Sequence, residues 1–162
     1  MAIREIVTNI KQTGIDSNAL WAYPVASELK KYSYKLVLEW AIECIQIYLS
    51  QFKPSNSIKL AKYVQQIIDL EVLLSPSQCD EMGKKVWNSP GRDDIQSAIA
   101  YLWWMISQFK LGEDCGVVET AMAIGLLLPD TSDDDLLNKY LEAAIDTLNK
   151  NKYFEPPSAE NS

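Results

Sequence analysis

Two fifteen-residue runs, Glu39 to Lys53 (EWAIECIQIYLSQFK) and Gln96 to Lys110 (QSAIAYLWWMISQFK), are apolar around most of a helix and end in the same four residues, Ser-Gln-Phe-Lys. Helices that are apolar on most sides must be buried on most sides, so other helices have to surround them. That requirement points to an all-α bundle. At an offset of 57 residues, 6 of the 15 aligned positions are identical, including Ala41/Ala98 and Ile42/Ile99. A duplicated helical hairpin would produce this, and so would chance between two apolar helices. Two units fall short of the three or more that a solenoid needs. The expected architecture is therefore a compact antiparallel bundle of six to eight helices over residues 1–150, followed by a flexible polar tail at 151–162.

The remaining pattern agrees. Ile3, Ile6, Val7 and Ile10 mark an amphipathic first helix that Gly14 can end. Ile15 to Tyr23 reads as a connection, and Pro24 opens a short helix reaching Tyr32. The long run predicts a helix over Tyr34–Phe52, with Glu39, Glu43, Gln46 and Ser50 as one narrow polar stripe. After Pro54, Ser55 or Ser57 caps a helix over Ile58–Leu74, with a core face of Leu60, Tyr63, Val64, Ile67, Ile68 and Val72. Ser75-Pro76 starts a helix to Trp87, and Ser89-Pro90-Gly91 is the clearest break in the chain. Further helices are expected from Asp93 and Asp94 to Phe109, from Cys115 to Leu128, and from Ser132 onward. No useful period-2 run predicts a strand.

The offset that aligns the two runs places Trp103 where the first has Gln46, on the polar stripe. If the two helices sit alike, Trp103 is exposed or covers something. Trp103 and Trp104 point about 100° apart on a helix, so one belongs to the core and the other lies near a surface. With Tyr101 and Met105 they form a patch of the kind favoured at protein interfaces, though aromatics are ordinary core residues too.

Charge is unevenly placed. Residues 1–85 carry ten Lys/Arg against nine Asp/Glu, and residues 86–162 five against thirteen. An acidic half disfavours phosphate backbones and suits a basic protein partner; solubility alone would also account for it. Asp130, Asp133, Asp134 and Asp135 are the densest acidic set. Read as an EF-hand from Asp130, the sixth position is Asp135 instead of Gly and the twelfth is Leu141 instead of Glu, so that loop fails. An acidic first helical turn explains the cluster as well.

The chain has no histidine, which removes Ser-His and Cys-His nucleophile pairs and every His-containing metal site. Cys44, Cys79 and Cys115 show no CxxC spacing and fit a reducing cytosol. No secretory h-region, membrane span, P-loop, GxGxxG or Gly-x-Ser-x-Gly motif occurs, and the small basic cluster Lys30, Lys31 and Lys35 does not imply nucleic acid. Glu39 and Glu43, one turn apart, admit an all-carboxylate metallohydrolase acting on phosphorylated small molecules, but the second acidic motif such an enzyme needs is missing.

The stretch LEWAIECIQIYLSQFKPSNSIKLAKYVQQI (Leu38 to Ile67) resembles the helix–Pro–helix opening of some bacterial immunity proteins, and SAIAYLWWMIS (Ser97 to Ser107) is similar to their second half. The present chain departs from them in having few alanines and no histidine. The resemblance implies a cytosolic helical protein that binds and neutralises a toxin, and it carries over no individual site residue. The expectation is a cytoplasmic, non-enzymatic protein-binding domain without cofactor, metal, nucleic acid or membrane. Its interface candidates are Trp103, Trp104, Asp130, Asp133, Asp134 and Asp135. The alternatives are the metallohydrolase and a homo-oligomeric structural protein.

Overall fold

The computed structural model describes residues 2–15 and 19–151; of the tail expected at 151–162, all but Asn151 lies outside them. Eight α-helices account for most of this length: α1 (Ile3–Thr13), α2 (Tyr23–Lys30), α3 (Tyr34–Phe52), α4 (Ser57–Leu70), α5 (Pro76–Asn88), α6 (Asp94–Lys110), α7 (Gly116–Gly125) and α8 (Asp134–Lys150). A short 3₁₀ turn, Ala19–Ala22, lies in the expected connection. No strand occurs among the described residues, and no helix there is long and apolar enough to cross a membrane.

Local chemistry sets the helix ends. Gly14 ends α1 at φ 70°, its N–H donating to Ile10 O at 2.8 Å. Ser33, Asp93 and Asp133 each accept a backbone N–H at the start of α3, α6 and α8. Ser75 and Gln78 form a reciprocal capping box at α5. At α4 the expectation fails in detail: the capping position is Asn56, which makes no side-chain cap, and the helix stops at Leu70. Ile68 and Val72, expected in the core, are 46% and 66% exposed. The buried stripe is Leu60, Val64 and Ile67 alone, because α4 packs mainly on α6 and one contact needs only one seam.

Helix α6 is the centre of the bundle, packed by α3, α4, α5 and α7. Helix α3 packs on α2, α6, α7 and α8. A single contiguous core runs from Ile3 in α1 to Leu148 in α8. Two hydrogen bonds join its far side: Trp40 Nε1 donates to Tyr140 O at 2.8 Å, and Tyr140 OH donates to Leu127 O at 2.6 Å. At the other side Lys110 Nζ donates to the carbonyls of Glu71 and Leu74 (2.6 Å for Leu74), pinning the end of α4 to the end of α6. Lys35 pairs with the buried Glu71 carboxylate.

The two Ser-Gln-Phe-Lys ends share sequence without sharing surroundings. Phe52 is 43% exposed and Phe109 7%. Lys53 caps α3 with φ 46°, whereas Lys110 remains helical and binds carbonyls. Helices α6 and α7 pack closely, but α3 and α4 are not among the packed pairs, so the corresponding hairpins are not alike.

The Ser89-Pro90-Gly91 break is a fastened turn. Lys59 Nζ donates to Pro90 O at 2.8 Å, and Gln96 Nε2 to Val86 O and Ser89 O at 2.8 and 2.9 Å. Asn56 Nδ2 reaches Asp93 at 3.1 Å, and the Arg92 guanidinium lies 3.6 Å over the Trp87 ring.

Two buried acids make the fold sensitive to alkali. Burial pushes the Tyr140 hydroxyl far up, with Cys44, Tyr48 and Asp133 adding to it. Burial, with Glu43 beside it, likewise raises the Cys44 thiol. Both folded pKa values are raised, so this contribution to stability is full below the unfolded values of about 8.5 for Cys and about 10 for Tyr, and is lost as pH rises past them. Urea midpoints should therefore fall steeply above about pH 9 to 10, and Tyr140→Phe should flatten the decline. An unchanged slope in that variant would assign the alkaline loss elsewhere.

Candidate functional site

The polar stripe of α3 ends up facing a second polar stripe. Asp135, Asn138, Lys139, Glu142 and Asp146 recur on α8 at helical spacing, and α8 packs along α3. Between them an open hollow of about 620 Å³ is lined by Glu43, Gln46, Ser50, Gln51, Asp135 and Lys139, with Ile47 as its apolar floor. A neighbouring hollow of about 350 Å³ shares Glu43, Ile47, Asp135 and Lys139 and continues to Glu142 and Asp146. Together they form one groove along α3 and α8.

The groove is acidic, and three lysines offset part of its charge. Lys139 pairs with Asp135 at 3.4 Å and donates to Gln51 Oε1 at 3.2 Å. Lys150 pairs with Glu39 at 3.0 Å, and Lys11 with Glu142. Asn151 Nδ2 donates to the other Glu39 oxygen at 2.9 Å. Glu43 and Asp146 have no ion-pair partner among the described residues. Their negative charge reaches the lysine at the groove's end: the hydrogen bond to Glu39 is the main cause that raises Lys150, and the fields of Glu39, Glu43 and Asp146 add to it. Among the described residues, no three Asp, Glu or Cys side chains are grouped to hold a metal ion.

The residues singled out from sequence are scattered. Trp103 is a correction: it is 0% exposed, in the middle of the core. Transferring the polar stripe by offset requires alike surroundings, and the face of α6 that carries Trp103 lies inside the core, whereas the matching face of α3, at Gln46, is exposed. Gln96, which aligns with Glu39, is likewise fully buried. Trp104 is half-buried, its ring 5.5 Å from Trp87 and 5.4 Å from Tyr101, and its Nε1 donates to Asp80 O at 3.3 Å. Asp130 accepts from the hydroxyl and N–H of Ser132, and these bonds hold its carboxyl below the usual range. Asp133 is the α8 cap, accepting from Leu136 N at 3.1 Å. Asp134 is exposed in the first turn. Of the six, only Asp135 lines the groove.

Asn138, Lys139, Glu142 and Asp146 were not singled out, although their spacing on α8 is as regular as the stripe on α3. No protein-family profile, curated protein or solved structure matches the chain.

Proposed function

We propose that this protein is a non-enzymatic binding module that takes a basic segment of a partner protein into the α3–α8 groove. The observation that carries the reading is the pair Glu43 and Asp146, carboxylates with no ion-pair partner among the described residues, in a groove with an apolar floor. A Lys or Arg side chain entering it would supply the missing charge and lay its aliphatic stem on Ile47 and Ala143. The acidic second half of the chain would speed such an encounter at low salt. The resemblance to immunity proteins supports the finer reading: a cytoplasmic inhibitor that neutralises its partner by occupying a basic surface.

An amide-resolved NMR titration with an Arg/Lys-rich amphipathic peptide tests the site. Shifts should concentrate on Glu43, Ile47, Asn138 and Asp146, weaken at high salt, and largely vanish in Glu43→Lys/Asp146→Lys. Shifts spread over all acidic surfaces, or an undiminished response in the double variant, would reject the groove.

A further inference from the structure

Helix α4 carries a second seam, about a quarter-turn around the helix from the one that faces the core. Ile58, Ala61, Gln65, Ile68 and Val72 follow one another at spacings of 3, 4, 3 and 4 residues, the heptad interval of a helix meant to pack on another helix. All five are exposed: Ile58 by 75%, Val72 by 66% and Ile68 by 46%, with Ala61 and Gln65 also in the exposed class. The core seam of the same helix, Leu60, Val64 and Ile67, is already occupied. Val72 lies just past the helix end, in a turn that Glu71 enters with right-handed helical backbone.

The occupant can be read from the order of residues along the seam. Lys62 and Asp69 flank it on one side, both exposed. Turn a second α4 end for end about a two-fold axis near Gln65. Ile58 then lies beside Val72 of the second copy, Ala61 beside its Ile68, and Lys62 beside its Asp69, with every contact repeated by symmetry. Small Ala61 against large Ile68 lets the helices approach closely. The two Gln65 amides, each already donating through Nε2 to its own Asp69 at 2.9 Å, meet at the axis, where a single polar residue in an apolar seam fixes register and orientation. Opposite charges meet twice, and no like charges are opposed.

We infer that the outer face of α4 is a self-complementary surface that joins two copies of this chain as an antiparallel α4–α4 pair. The inference does not draw on the α3–α8 groove. One helix from each copy makes a small interface, so association is weak and depends on concentration.

Sedimentation velocity on the full chain over a concentration series tests this. The weight-average mass should climb from 18.3 kDa toward twice that value. Ile68→Glu should hold it at the monomer value throughout. Lys62→Asp and Asp69→Lys should each weaken association by about tenfold or more, because each places like charges across the axis. The combined Lys62→Asp/Asp69→Lys chain should recover it, and unchanged circular-dichroism melts would show that every variant is folded. A wild type that stays monomeric overturns the proposal, as does dimerisation that Ile68→Glu leaves intact. Failure of the combined swap to recover association rejects the antiparallel register.

Discussion

Replacing Trp40 with alanine should cost about 3–5 kcal/mol of unfolding free energy. Trp40 is fully buried in α3 and is among the largest enclosed side chains. Its removal withdraws a large apolar area and opens a cavity between α3 and α8, which the rigid helices can only partly close. The indole N–H also holds Tyr140 O, and the Tyr140 hydroxyl in turn reaches Leu127 beyond α7, so α3 is tied to α8 directly and to the segment after α7 through Tyr140. The apolar term dominates, because a helical carbonyl such as Tyr140 O can keep its backbone bond when the indole leaves. The predicted loss is a large share of the ~5–15 kcal/mol that holds a typical domain folded. The urea midpoint should fall with the slope unchanged. A loss below about 1 kcal/mol would mean that the α3–α8 contact is not where this fold gains its stability.

Gly83→Ala should be the next most damaging small change, although alanine is the better helix former by about 1 kcal/mol. An added Cβ at Gly83 would lie 2.4 Å from Trp104 Nε1 and 2.7 Å from its Cδ1. The indole cannot slide away freely, since Trp87 and Tyr101 flank it and Asp80 O accepts its N–H. Overpacking of this kind costs about 1–3 kcal/mol, enough to outweigh the propensity gain. A Trp104→Ala background separates the two effects. There Gly83→Ala should become neutral or stabilising, and tryptophan emission should change only when Trp104 is present. If the single variant is more stable than the wild type, the α5–α6 approach is looser than these distances imply.

The helical periodicity of the long runs carried most of the fold. Residues Tyr34–Phe52 are apolar enough and capped clearly enough that α3 begins and ends where the sequence places it. Caps with a side-chain mechanism, such as Ser75 with Gln78, were equally legible. What the sequence hid was which helices meet. Glu43 and Asp146 belong to one groove because α3 and α8 pack across about a hundred intervening residues, and no local pattern encodes that pairing. For the same reason α4 looked wider on its core face than it is: Ile68 and Val72 are apolar, but the seam they form points outward. Trp103 misled through analogy. The offset carried the exposed position of Gln46 onto one at the centre of the core.

The turn around Pro90 has a consequence for the continuity of the chain. Serine, proline and glycine in succession look like a dispensable hinge, the kind of place where a polypeptide tolerates new termini or an inserted domain. Here Lys59 of α4, Val86 and Trp87 of α5, and Gln96 of α6 all fasten to those few residues or across them. Opening the backbone there would untie three helices together, so the stretch that most resembles a linker is a poor site for a circular permutation.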